Sequence, residues 1–200
     1  KWGDLKVLGG IGIVALANVW FHAEILATGA PGMSARAAVA GYVLLITIIG
    51  GSGFLGRHIV RALAKRGYRI RAACRRPDLA GHLQPLGVPG QVMPVQANVR
   101  YPASLAAACD GAYAVINLTG VLYSAGAQSF DAIHAFGAEA SAKAARAARA
   151  RVFIQMSAIG ADPGSSAAYA RSKAEGEARA RAAFPGAIIL RPSIAFGPED

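Results

Sequence analysis

Tyr169 and Lys173 are separated by one helical turn in Tyr169-Ala170-Arg171-Ser172-Lys173, so on a helix a phenol and an ammonium share one face. A phenol near its ordinary pKa of about 10 is a poor base at neutral pH. A neighbouring ammonium favours the phenolate and turns the pair into a proton donor and acceptor. Ser157, twelve residues earlier, supplies a hydroxyl that can polarise a carbonyl or an alcohol. Tyr-x-x-x-Lys occurs by chance in many helices, and its weight comes from what stands before it.

What stands before it is a glycine turn, Gly50-Gly51-Ser52-Gly53-Phe54-Leu55-Gly56. In the spacing Gly50-x-x-Gly53-x-x-Gly56 the first glycine permits a tight turn and the second lets backbone approach a pyrophosphate. The third lets helix and strand pack closely. The helix that follows offers amide donors and the positive end of its dipole to phosphates. A mononucleotide P-loop also needs a four-residue gap between glycines, but Arg57-His58 stands where that loop requires Lys and then Ser or Thr. The turn therefore reads as a dinucleotide site built on Gly50, Gly53, Phe54, Leu55 and Gly56, and Lys173 becomes a candidate to hold the nicotinamide ribose.

Several elements must place these residues. Leu44-Leu45-Ile46-Thr47-Ile48-Ile49 is a nearly continuous apolar run, as expected of a central parallel strand buried on both faces. Downstream of the turn, Ile59, Val60 and Leu63 form one helical stripe that ends at Gly67. A second strand, Tyr68–Cys74, leads to Arg75-Arg76-Pro77, where domains selective for NAD put an acidic residue on the ribose 2′-hydroxyl. Arginines there favour a 2′-phosphate, so Arg75 and Arg76 point to NADP(H) ahead of NAD(H); Asp78 comes too late in the turn to take the ribose.

A third strand over 92–96 leads to Asn98, a candidate for the adenine edge, and a fourth over 112–118 leads to Gly120, which leaves room for the cofactor. A long Ala-rich helix over 130–150 precedes the strand Val152–Met156, which ends at Ser157, an edge where α/β sheets put their sites. The expected fold is α/β, a Rossmann-type doubly wound parallel sheet in order 3-2-1-4-5-6 with helices on both faces.

The formal net charge of +10 raises the question of nucleic acid, yet the arginines are scattered as singles and pairs without interleaved aromatics, and no nucleic-acid partner is expected. Cys74 and Cys109 lack the short spacings of metal or disulfide frameworks, so no metal site is expected.

Residues 1–43 differ in texture from 44–200. Residues 7–23 carry no formal charge and as a helix would reach about 25 Å, against a hydrocarbon core of about 30 Å. A membrane span or anchor, a partner-packed helix and a cleaved signal all remain open for this segment. His22 would be the notable side chain of a span, either a candidate pigment or haem ligand or, beside Trp20, the mark of the helix's interfacial end.

The order of these motifs resembles the short-chain dehydrogenase/reductase superfamily in its extended or atypical branch, over 44–200. The stretches IIGGSGFLGRHIVRALAKRGYRIRAACRRP, INLTGVLY, MSAIGAD, YARSKAEGE and LRPSIAFGPED are similar to bacterial relatives of the nucleotide-binding accessory subunit of respiratory complex I. That resemblance implies a tightly held NADPH and membrane-complex partners at the cytoplasmic side of a bacterial inner membrane, peripheral or anchored by one span. It also implies a longer substrate-covering part after residue 200. Retention of Ser157, Tyr169 and Lys173 keeps open an active NADP(H)-dependent reductase or nucleotide-sugar epimerase or dehydratase. A third alternative is a membrane-anchored component of another assembly, in which the N-terminal helix is the functional part.

Overall fold

A computed structural model describes residues 44–197 of the chain. The expected N-terminal helix, with residues 7–23 and His22, and the segment 198–200 lie outside the described residues. Among the described residues no helix is long and apolar enough to cross a membrane.

Strand β1 (Leu45–Ile49) is flanked by β2 (Arg69–Cys74) and β4 (Ala114–Asn117), with β3 (Val92–Gln96) beyond β2, and β5 (Val152–Met156) and β6 (Ile188–Leu190) beyond β4. The six strands are all parallel, in order 3-2-1-4-5-6 as expected. Parallel neighbours need crossovers: helices α1 (Phe54–Ala64), α2 (Pro102–Cys109), α3 (Phe136–Ala147) and α4 (Ala168–Ala183) provide four of the five, and the short 3-10 turns Pro77–Leu79 and Gly81–Leu86 lie in the one from β2 to β3. Because helices cover both faces, β1 buries both of its side-chain sets: Ile46 and Ile48 are fully buried, and so is Thr47, whose Oγ1 donates to the Ala108 carbonyl at 2.9 Å. On the face of α2, α3 and α4, the core joins Ile49, Leu105, Val115 and Phe153 to the alanines of α3. Alanine's small volume allows α3 and α4 to approach closely.

Two elements depart from the sequence expectation. Helix α1 starts at Phe54, directly on the glycine turn, rather than after it. The Ala-rich helix expected over 130–150 opens with a π turn, Asp131–Ala135, in which the Phe136 amide reaches back five residues to the Asp131 carbonyl. Periodicity cannot reveal one extra residue in a turn, because Ala at most positions leaves no stripe to shift out of phase. Residues Leu44–Pro192 form one compact unit. Ser193–Gly197 have no regular secondary structure, and Ile194 and Phe196 there are exposed.

Candidate functional site

At the end of β1 the chain turns through Gly50, whose φ of +84° lies in the left-handed region, and its amide donates to the Ala73 carbonyl at 2.8 Å. The Gly53 amide closes the turn on the Gly50 carbonyl at 3.1 Å. Gly53 then caps α1 without a side chain, so the first-turn amides of Phe54, Leu55 and Gly56 meet no capping oxygen. At Gly56 a Cβ would collide with the carbonyl oxygens of Gly50 and Gly51, so the helix can start this close to the strand only on glycine. Gly51 is tight as well, though less so: its Cβ would lie 3.0 Å from the Ala72 Cβ and the Ile48 oxygen, a demand the Gly-x-x-Gly-x-x-Gly pattern does not announce.

A cleft of about 250 Å³ opens over this turn. Its walls are the carboxyl ends of β1 through β4: Gly50, Ser52 and Gly53, then Cys74 and Arg75, then Asn98 and Arg100, then Thr119 to Val121. This is the crevice position at which open α/β sheets bind ligands.

The structure separates the two arginines after β2. Arg75 lines the cleft, and its Nη1 donates to Gln128 Oε1 at 2.9 Å across the opening. Arg76 instead grips Asp78 with two nitrogens, at 3.0 and 2.7 Å, on the exposed surface. The Arg76 hydrogen bond holds the Asp78 carboxyl below the usual carboxylate range. Asn98 lies on the cleft wall with its Oδ1 accepting the Arg100 amide at 3.1 Å and its own amide bonded to Ser104 Oγ at 3.0 Å.

At the end of β4 a buried chain of amides sets the backbone. Thr119 Oγ1 donates to Asn117 Oδ1 at 2.6 Å, Asn117 Nδ2 donates to Gln155 Oε1 at 2.9 Å, and Gln155 Nε2 donates to the Met156 carbonyl at 2.9 Å. Gly120 follows on the cleft wall. A Cβ there would sit 3.2 Å from Lys173 Nζ and 3.6 Å from His134 Nε2, so Gly120 makes room for the lysine amine beside the cleft.

Tyr169, Lys173 and Glu177 occupy one face of α4 at successive turns. Lys173 is 7% exposed, with Nζ 5.7 Å from the Tyr169 ring centroid. Burial lowers its amine to about 8 against the opposing pull of Glu177. The sequence reading expects the ammonium to draw the phenol down; in this structure burial pushes Tyr169 up. Ser157 donates to Glu177 Oε1 at 2.5 Å, and the same carboxylate receives Arg191 Nε and Nη2 at 2.8 and 2.7 Å. Burial pushes Glu177 up, but the hydrogen bonds from Arg191 and Ser157 outweigh it and leave the carboxyl below its ordinary value.

Sequence reasoning missed Glu177, Arg191, Gln128 and His134. Only Glu177 carried a signal, the four-residue spacing from Lys173 that continues the Tyr169–Lys173 stripe.

A crossover-built parallel sheet, a glycine turn at a helix start and a cleft over the strand ends define a nicotinamide-dinucleotide-binding domain of the short-chain dehydrogenase/reductase type. The chain belongs to the NAD(P)H-binding family, whose profile matches residues 50–193. It is 39% identical over 156 residues to the ceramide reductase of Caulobacter vibrioides, a match covering 78% of this chain and 48% of that protein. It is 36% identical over 171 residues to the mitochondrial NADH dehydrogenase [ubiquinone] 1 alpha subcomplex subunit 9 of Arabidopsis thaliana, covering 84% of this chain and 42% of that one. The chain thus spans less than half the length of either relative. The fold is that of a short-chain dehydrogenase/reductase superfamily protein from Agrobacterium tumefaciens with bound NAD, with a TM-score of 0.56 and 24% identity over 74% of this chain and 48% of that one.

Proposed function

We propose that this chain holds NADP(H) in the cleft over β1 and serves as the nucleotide-binding part of an accessory subunit of a membrane-bound respiratory complex of the complex I type, at the cytoplasmic side of a bacterial inner membrane. The residues fit the cofactor. Gly50 and Gly53 leave the turn open to a pyrophosphate, and the first-turn amides of Phe54, Leu55 and Gly56 supply its donors. Arg75 meets the 2′-phosphate, joined by Arg76 if it leaves Asp78; Asn98 serves the adenine end, and Gly120 and Lys173 the nicotinamide ribose. When bound, the nicotinamide supplies hydride chemistry.

The observation that carries the accessory role is the commitment of Ser157. Its one hydroxyl proton goes to Glu177, which Arg191 holds in place, so the group best placed to polarise a substrate carbonyl is engaged elsewhere. Mass spectrometry of the natively purified assembly tests the reading. Respiratory subunits and bound NADPH should come with the chain, and a chain purified alone with no nucleotide would sink it.

A second reading is an active NADP(H)-dependent reductase with Tyr169 and Lys173 as catalytic residues, joined by Ser157 only if its hydroxyl leaves Glu177. The position of Lys173 against both Tyr169 and Gly120 favours it, as does the similarity to a ceramide reductase. In that reading Tyr169 moves the proton and Lys173 holds the ribose. NADPH turnover with a carbonyl substrate, lost in Tyr169→Phe, would decide for it.

A further inference from the structure

His134 is buried, 2% exposed, in the π turn that opens the helix beside the cleft. Its ring is held by directional bonds at both ends. Nε2 accepts the Val121 amide at 3.0 Å, so that nitrogen carries no proton. The Ser172 hydroxyl donates to the Tyr169 carbonyl at 2.7 Å, so its oxygen is left to accept from Nδ1 at 2.8 Å. Backbone groups on two different elements, the Val121 amide and the Tyr169 carbonyl, thus select one neutral tautomer.

The fold is shaped to bring the ring there. The wider π turn displaces the backbone by one residue at this point, a feature that recurs at functional sites. At Gly176 a Cβ would collide with the His134 carbonyl, so α4 reaches the turn backbone to backbone. Phe130 stacks on the imidazole with centroids 5.3 Å apart, and Tyr169 meets it edge-on at 5.4 Å. Burial, and then the charge of Lys173, lower the imidazole to about 4, which keeps both bonds intact at neutral pH.

We propose that His134 is a positioning residue: by accepting from Val121 and donating to Ser172 it clamps the Gly120–Val121 backbone at the end of β4 onto the helix that carries Tyr169 and Lys173. The clamp sets where the Lys173 amine meets the nicotinamide half of the dinucleotide. The inference rests on the nucleotide reading above. A ring wanted only for stacking would be served by Phe, which has neither nitrogen.

The test compares the 200-residue chain with His134→Phe, His134→Gln and His134→Asn, titrated with NADPH and with 2′,5′-ADP, which lacks the nicotinamide half. The Gln carbonyl can reach the Val121 amide, whereas Asn keeps only the shorter reach towards Ser172. Loss of a buried, partnered acceptor predicts a drop of at least about tenfold in NADPH affinity for Phe and Asn, with 2′,5′-ADP affinity unchanged and Gln close to wild type. Amide exchange at Val121, read without nucleotide, should quicken by a similar factor in Phe and Asn while Asn117 stays protected. Equal NADPH affinity in Gln and Asn, or equal losses for both ligands, would overturn the clamp, and a Phe variant that fails to fold leaves that Gln–Asn comparison decisive. A wild-type chain that binds neither ligand overturns the nucleotide reading instead, and Val121 exchange alone then decides the role of His134, with unchanged exchange in Asn counting against it.

Discussion

The Ser157 hydroxyl donates its hydrogen to Glu177 across 2.5 Å, joining the end of β5 to a turn of α4 eight residues past Tyr169. At about 1.5 Å per residue, the backbone of Glu177 is about 12 Å along the helix axis from that of Tyr169. Arg191, just after β6, closes on the same carboxylate, so one buried group ties together two strand ends and a helix.

This tie should matter more for stability than for reaction. Ser157→Ala removes one charge-assisted hydrogen bond and should cost about 1–3 kcal/mol, read from urea unfolding. Glu177→Gln should cost a similar amount, since Arg191 is about half exposed and water can take over part of its solvation. If the chain turns over NADPH, Ser157→Ala should keep that rate within about threefold while Tyr169→Phe lowers it by a factor of about 10² or more. A Ser157→Ala loss as large as that of Tyr169→Phe would return Ser157 to the catalytic set.

Cofactor preference should follow Arg75. Arg75→Ala removes a cation from the cleft wall and should weaken NADPH by about 10- to 100-fold, the worth of a charge-assisted contact, with NADH affinity unchanged. Arg76→Ala should do less, because that guanidinium is already paired with Asp78. Fluorescence titration of the two nucleotides gives both ratios, and equal sensitivity to NADH and NADPH would argue against a 2′-phosphate contact.

The glycine turn tolerates no Cβ at Gly56. Gly56→Ala forces the carbonyls of Gly50 and Gly51 aside, and these shape the turn beneath the pyrophosphate. Calorimetry should record a loss of dinucleotide affinity greater than tenfold together with a lower Tm, on the scale of about 1–3 kcal/mol for overpacking. A Gly67→Ala control, in open space at the far end of α1 with a φ of +84°, should lower Tm but spare binding.

Acid should destabilise the chain partly through His134. Free histidine titrates near 6.5 and this one at about 4, so between those values the unfolded chain takes up a proton that the native chain refuses. The stability it contributes is present in full above about pH 6.5 and falls progressively towards pH 4, by an amount on the order of 3 kcal/mol. Lys173 titrates at about 8 when folded and therefore changes stability on the alkaline side, outside this window. Urea unfolding at pH 7 and pH 5 should show a steeper acid loss for wild type than for His134→Gln, and parallel slopes would contradict the assignment.

The sequence alone determined the parallel sheet and its order, because β1 is apolar on both faces and strand-like runs alternate with helical ones around a glycine turn. It determined Gly50 and Gly56 as well, since those demands are local: a turn angle and a helix start within seven residues of chain. What it could not determine is which polar groups are already spent on one another. Arg75 and Arg76 are equivalent in the sequence, and only packing directs one into the cleft and the other onto Asp78. Ser157 and Glu177 are twenty residues apart, and His134 is thirty-eight from Ser172. Such pairings depend on how α3 and α4 lie against the strand ends, and that depends on a π turn and on Gly176, whose effects appear only once two helices touch. The physical reason is range: conformational preference acts along a few residues of chain, whereas the partner that fixes a proton's position comes from wherever the fold brings it.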